Sequence, residues 1–256
     1  MASRLIIASP QQFPLKMNRN YCILIASLLL FSSCKEENKS VGNLHISGNV
    51  AGLKKGILYI QKLEDTSLVA LDSIKIDGSS EFKSDLTIDS PEMLYLFLDR
   101  GDTKNKDNNL MFFAEPGNVR IETTLETFYA DAKISGSKNH QLYEEYRKVK
   151  SRFTGQELDL TEKRIKMLQN RESYSKEKGQ AQMDGILRKR YLFAVNFAVN
   201  NKNFEVAPYI ALSEIPDANI KFLETIYNAL SPKVASGKYG KLLKYHIDHR
   251  KKAELQ

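Results

Sequence analysis

Few side chains in this 256-residue chain are spaced for chemistry, and the one with the most definite context is Cys34. It closes the run Ile23-Leu24-Ile25-Ala26-Ser27-Leu28-Leu29-Leu30-Phe31-Ser32-Ser33-Cys34. A secretory signal needs a basic start, an apolar stretch of roughly 7–15 residues and small residues before the cut. Arg19 supplies the charge, Tyr21–Phe31 is mostly apolar, and Ser32 and Ser33 are small. That order predicts cleavage before Cys34 and a thiol placed to carry acyl chains. The remaining candidates are thinner. His246 and His249 lie three apart beside Asp248, but two imidazoles fall short of the four ligands of a closed metal site. They read as exposed helix-end histidines. Asp72, Asp77 and Glu81 would hold a cation, or work as acid and base, only if folding gathered them. Strand alternation and a turn account for them more simply. Gly136-Ser137-Lys138 lacks the Gly-x-x-x-x-Gly-Lys-Ser/Thr spacing of a phosphate loop and reads as a helix entry. No catalytic residue, metal ligand or cofactor is assigned.

The segment before Cys34 resembles the bacterial lipobox, with Phe31 where leucine is usual. Its apolar run is shorter than the ~20 residues that span a bilayer. Residues 1–16, with Pro10 and Pro14, fit no signal pattern, so Met17 is the better start. Lys35-Glu36-Glu37 resembles the export signal of Bacteroidetes-type lipoproteins bound for the cell surface. The expected partner is therefore a membrane, held through N-terminal acyl chains. Two or more such chains bind firmly, at about 0.8 kcal/mol per buried methylene. The expected location is the outer membrane, facing the periplasm or the cell surface, with a further envelope protein as a second possible partner.

Composition sets bounds. Hydrophobic content of 42% supports a packed core. Cys22 leaves with the leader and Cys34 is consumed by lipid, so no thiol remains for disulfide, metal or redox work. The formal charge of +7 loses three basic residues with the leader. The rest is split: residues 34–136 carry 12 basic and 17 acidic residues, residues 137–256 carry 23 and 14. Solvated helix faces explain the basic half, since Lys and Arg are good helix formers. Nucleic acid is excluded as a partner for an exported chain.

Residues 44–135 read as β. Leu44–Val50 alternates apolar and polar, the pattern of a half-buried strand. Gly56–Leu63, Leu68–Ile76, Ser80–Ile88, Met93–Leu98, Leu110–Phe113, Asn118–Thr124 and Lys133–Ser135 follow. Asp77-Gly78 is a hairpin signal, and Glu115-Pro116-Gly117 is read as the turn pairing the strands beside it. Asp99–Asn109 is a polar insertion. Residues 137–253 read as helical. Leu142, Tyr146, Val149 and Phe153 share one helix face. Thr154-Gly155 is read as an end or kink, with Ile165 and Leu168 inward beyond it. Met183–Val199 marks a long helix, Pro216-Asp217 the start of another, Ser231-Pro232 a capped start, and Tyr239–His249 the last. The helical tyrosines, among them Tyr143, Tyr146, Tyr191, Tyr209, Tyr227 and Tyr239, read as core with hydroxyls at the edge.

Three stretches carry a family likeness: Leu71-Asp72-Ser73-Ile74-Lys75-Ile76-Asp77-Gly78 with Phe82, Phe112-Phe113-Ala114-Glu115-Pro116-Gly117-Asn118-Val119, and Ile134-Ser135-Gly136-Ser137-Lys138-Asn139 leading to Tyr143 and Tyr146. Together they resemble the β domain of unknown function that precedes thioredoxin-like domains in Bacteroidetes-type exported thiol–disulfide oxidoreductases. The likeness covers about residues 44–150. The redox activity needs a Cys-x-x-Cys pair with one thiol of lowered pKa, and the chain to Gln256 holds none. The expected architecture is α+β: a signal over 1–33, a lipidated tether over 34–43, an antiparallel β-sandwich over 44–136 and a helical region over 137–256. The expected function is a non-enzymatic binding or interaction module of the cell envelope. The alternative is an accessory or truncated form of such an oxidoreductase.

Overall fold

The computed structural model describes residues 42–100, 108–170 and 175–254. Among the described residues eight strands form two four-stranded sheets: β1 (Leu44–Ala51), β2 (Lys55–Glu64), β3 (Ser67–Asp77), β4 (Glu81–Leu86), β5 (Glu92–Asp99), β6 (Asn109–Ala114), β7 (Gly117–Thr124) and β8 (Lys133–Ser135). One sheet has the order β4-β1-β7-β8, the other β3-β2-β5-β6. All pairings are antiparallel except β1 with β7, which run parallel from Leu44↔Gly117 to Ala51↔Thr124. The expected α+β architecture holds: six helices follow, α1 (Lys138–Gln169), α2 (Lys176–Asn200), α3 (Val206–Glu214), α4 (Ile220–Ala229), α5 (Pro232–Ala235) and α6 (Lys238–Glu254).

Alternation places the core. Leu44, Ile46 and Val50 of β1 share one core with Leu58 and Ile60 of β2 and with Leu94, Leu96, Leu98, Leu110 and Phe112 of β5 and β6 in the same sheet as β2. The other face of β5 and β6 carries Met93, Tyr95, Met111 and Phe113, and these pack under the helices. Both faces of these two strands are covered, so Met93–Leu98 is apolar without alternation, as expected of a strand buried on two sides.

Two turn assignments are corrected. Asp77-Gly78 does not close a hairpin, because β3 and β4 lie in different sheets. Gly78 sits at φ +94 and its N–H donates to Lys54 O at 2.8 Å, turning the chain from one sheet to the other. Glu115-Pro116-Gly117 likewise joins β6 of one sheet to β7 of the other. Its carboxylate has a second use. Glu115 accepts from the backbone N–H groups of Lys138 and Asn139 and from the Asn139 side chain. It thereby neutralises the donor-rich start of α1. Gly136 (φ +89) admits no side chain, since a Cβ there would lie 1.8 Å from Asn118 O.

The helix entry after Gly136 is confirmed. Ser137 caps α1, its Oγ accepting the His140 N–H at 3.0 Å. Ser137→Ala is expected to cost about 0.5–2 kcal/mol, measured as a shift in the urea midpoint with the slope unchanged.

The helical reading needs three corrections. Thr154-Gly155 does not end α1, which runs unbroken from Lys138 to Gln169. Ile165 and Leu168 are exposed, not inward, because the buried residues of α1 all lie between Asn139 and Tyr146. The helix expected from Pro216 begins at Ile220, where the Asn219 side chain accepts the Lys221 N–H at 3.0 Å.

Candidate functional site

Where the outer face of the β3-β2-β5-β6 sheet meets the helices, a groove of about 1170 Å³ opens. Its sheet wall comes from Lys62 and Leu63 of β2 and from Glu92, Met93 and Tyr95 of β5; its helical wall comes from α3 and α6. Strand parity dictates the first wall. Leu58 and Ile60 point into the sandwich, so Leu63 points out, opposite Leu68 of β3 in the ladder. Asp65, at φ 51, makes the tight turn between those two strands.

Tyrosines fix the other wall. The Met93 N–H donates to the Tyr239 hydroxyl at 2.9 Å. The Tyr209 ring lies 5.1 Å from that of Tyr239 and 5.5 Å from that of Phe113, both edge-on, and Tyr143 closes on Tyr209 at 5.8 Å. Edge-to-face rings are the favoured geometry for such clusters. Burial raises the Tyr239 and Tyr209 hydroxyls well above their ordinary range and pushes Tyr143 up to about 12. These groups stay protonated, so they offer hydrogen bonds and not bases. Lys238 pairs with Glu92 across the groove floor, and its N–H donates to Ser90 Oγ at 3.4 Å.

Under the start of α6 lies Glu205. Its residue is 4% exposed, and its Oε2 has no hydrogen-bond partner among the described residues. Burial raises this carboxyl to about 7, against the pull of the Tyr239 backbone N–H and of Lys233. Gly237 packs on it so closely that a Cβ would come within 1.8 Å of Oε1. A second groove, of about 1050 Å³, follows α1 past Tyr129, Tyr143 and Leu158. There the Arg147 guanidinium lies over the Tyr129 ring at 5.5 Å.

The sequence candidates scatter. Cys34, Lys35, Glu36 and Glu37 lie outside the described residues. Asp72 is engaged by Ser84 Oγ at 2.5 Å and by the Ser73 N–H at 2.7 Å. Among the described residues no group of three or more His, Cys, Asp or Glu is placed to hold a metal. His246 is half-buried against Pro216 O at 3.0 Å, whereas His249 lies on the Tyr245 ring, so the expectation of two exposed histidines is corrected for His246. Three of the six tyrosines, Tyr143, Tyr146 and Tyr239, are buried as expected and the other three are half-buried, but the Tyr146 hydroxyl is enclosed without a partner among the described residues, not at the edge. Sequence reasoning missed the Glu92–Lys238 pair and Glu205. The pair joins residues 146 positions apart, a separation that no local pattern marks.

Fold and groove define a β-sandwich roofed on one face by helices, with a tyrosine-lined cleft at the junction. Residues 44–143 match the model of a family described as a domain of unknown function (DUF4369). The match spans all eight strands and ends inside α1. No curated protein and no solved structure matches the chain.

Proposed function

We propose that this chain is an exported lipoprotein of the cell envelope, anchored to the outer membrane through Cys34. It acts as a non-enzymatic binding or interaction module, and the junction groove is its contact surface. The observation that carries the reading is the order of residues 19–34: a charge, an apolar run, two small residues and a cysteine. Lys35-Glu36-Glu37 supports display at the cell surface. The groove supports binding, because it offers tyrosine hydroxyls, two ion pairs and apolar walls, the usual make-up of a recognition cleft. Metabolic labelling with an alkynyl fatty acid tests the anchor. The wild-type chain is expected to take up label and partition into detergent. Cys34→Ala is expected to lose the label entirely and to keep its leader; label retained in that variant refutes the anchor.

A second reading is favoured by the resemblance of residues 71–82, 112–119 and 134–146 to the domains that precede thioredoxin-like domains. In it the module positions a separate thioredoxin-like partner. Co-purification of the two supports this reading, and failure of the purified pair to associate argues against it.

A further inference from the structure

We propose that the face formed by the β2–β3 turn and the outer side of α6 docks on the surface of a phospholipid bilayer. The inference rests on the lipid-anchor reading and names the surface that anchor brings into contact. Four large apolar side chains project around the mouth of the junction groove: Leu63 is 47% exposed, Leu68 41%, Leu242 45% and Tyr245 70%. Leu63 and Leu68 are cross-strand neighbours at the tip of the hairpin. Leu242 and Tyr245 are three apart on α6, and both line the groove with Leu63. Contiguous apolar exposure of this kind marks an interaction surface. An exposed tyrosine, with an apolar ring and a polar hydroxyl, suits the boundary between headgroups and acyl chains.

The position of the chain's entry identifies the occupant. Asn43 clamps the first strand to the loop after β4: its Nδ2 donates to Ile88 O at 2.8 Å and its Oδ1 accepts the Ile88 N–H at 3.0 Å. Two residues on, at most about 7 Å of chain, Asp89 and Ser90 line the groove itself. Cys34 lies eight residues before Gly42, a reach of at most about 29 Å when fully extended. An acylated Cys34 therefore keeps this end of the molecule within reach of the bilayer. The lysines around the patch are largely neutralised. Lys62 pairs with Glu64 at 2.6 Å, Lys244 with Asp248 at 2.5 Å, and Lys238 with Glu92. Docking is accordingly driven by apolar insertion, needs no anionic lipid and is weakly sensitive to salt.

The chain contains no tryptophan, which supplies the test. Tyr245→Trp and Leu158→Trp each introduce a single reporter, the second on the α1 groove, which borders the β6 side of the same sheet. The full acylated protein is reconstituted in phosphatidylcholine vesicles with and without lipid brominated in the upper acyl chain. The 245 reporter is expected to shift to shorter wavelength on vesicles and to be quenched several-fold more than the 158 reporter. Adding Leu63→Asp and Leu242→Asp is expected to abolish the difference while acyl labelling persists. Equal quenching of the two reporters in labelled protein overturns the docking face and leaves the anchor standing. Loss of acyl label in the parent overturns both. A short-wavelength 245 reporter in lipid-free buffer, growing with protein concentration in the Cys34→Ala chain, shows that a second copy covers the face and also overturns the inference.

Discussion

Replacing Phe113 by alanine is expected to lower stability by about 3–5 kcal/mol, the range for removing a fully buried aromatic ring. Phe113 is wholly enclosed on the outer face of β6. Its ring stands edge-on to Tyr209 at 5.5 Å and packs on Tyr239 at 5.9 Å. Its N–H donates to His140 Nδ1 at 3.3 Å, and burial lowers the tendency of that imidazole to take up a proton. The ring thus binds the sheet to α3 and α6, while the backbone N–H, which alanine keeps, binds it to α1. Phe112, its neighbour, is as deeply buried but points into the sandwich. The two changes should therefore differ in kind. Phe112→Ala should loosen the sheets. Phe113→Ala should loosen the roof first, so amide exchange in α3 and α6 should speed up more than in β1 and β7. Urea unfolding with hydrogen exchange measures both, and faster exchange in the sandwich strands of the Phe113 variant would refute this division.

That division also explains how much of the molecule was legible in the sequence. Alternation in Leu44–Val50 and the unbroken apolar run Met93–Leu98 mark strands because strand parity is a local property. Which strands pair is not local. Asp77-Gly78 and Glu115-Pro116-Gly117 carry turn chemistry that serves a hairpin and a corner between sheets equally well. The choice depends on the parallel pairing of β1 with β7, some seventy positions away. On α1 the spacing of Leu142 and Tyr146 marks a buried face, and both are buried. Ile165 and Leu168 extend a similar spacing beyond the body, where no layer covers them. Gly155 interrupts nothing, since a glycine in a helix costs only about 1 kcal/mol relative to alanine. The junction groove was illegible for the same reason as the pairing. Its walls come from β2, β5, α3 and α6, and only the packing of those layers makes neighbours of Glu92, Tyr239 and Lys238.

Glu205 is expected to make the stability of the fold depend on pH with a sign opposite to that of an ordinary ion-paired carboxylate. Its carboxyl is raised from 4.5 to about 7, chiefly because burial penalises the charged form. The folded chain then holds a proton that the unfolded chain has released. The stabilisation is fully present below about pH 4.5 and falls as pH rises towards 7. Above that the loss is complete, at most about 3.4 kcal/mol at 1.36 kcal/mol per pKa unit. The surroundings enforce this. Oε2 has no partner among the described residues, and Gly237 lies so close that a side chain at that position would collide with Oε1. Glu205→Gln keeps the shape and removes the titration. The variant should match the wild type near pH 4 and exceed it by about 2–3 kcal/mol at pH 8. The difference between the two urea-unfolding profiles, taken from pH 4 to 8, cancels every other titrating group. A flat difference would mean that the carboxyl ionises in the folded chain as it does in water. A difference that opens between pH 4.5 and 7 would show that charge on Glu205 strains the junction where Gly237 and Tyr239 hold α6 against the sheet.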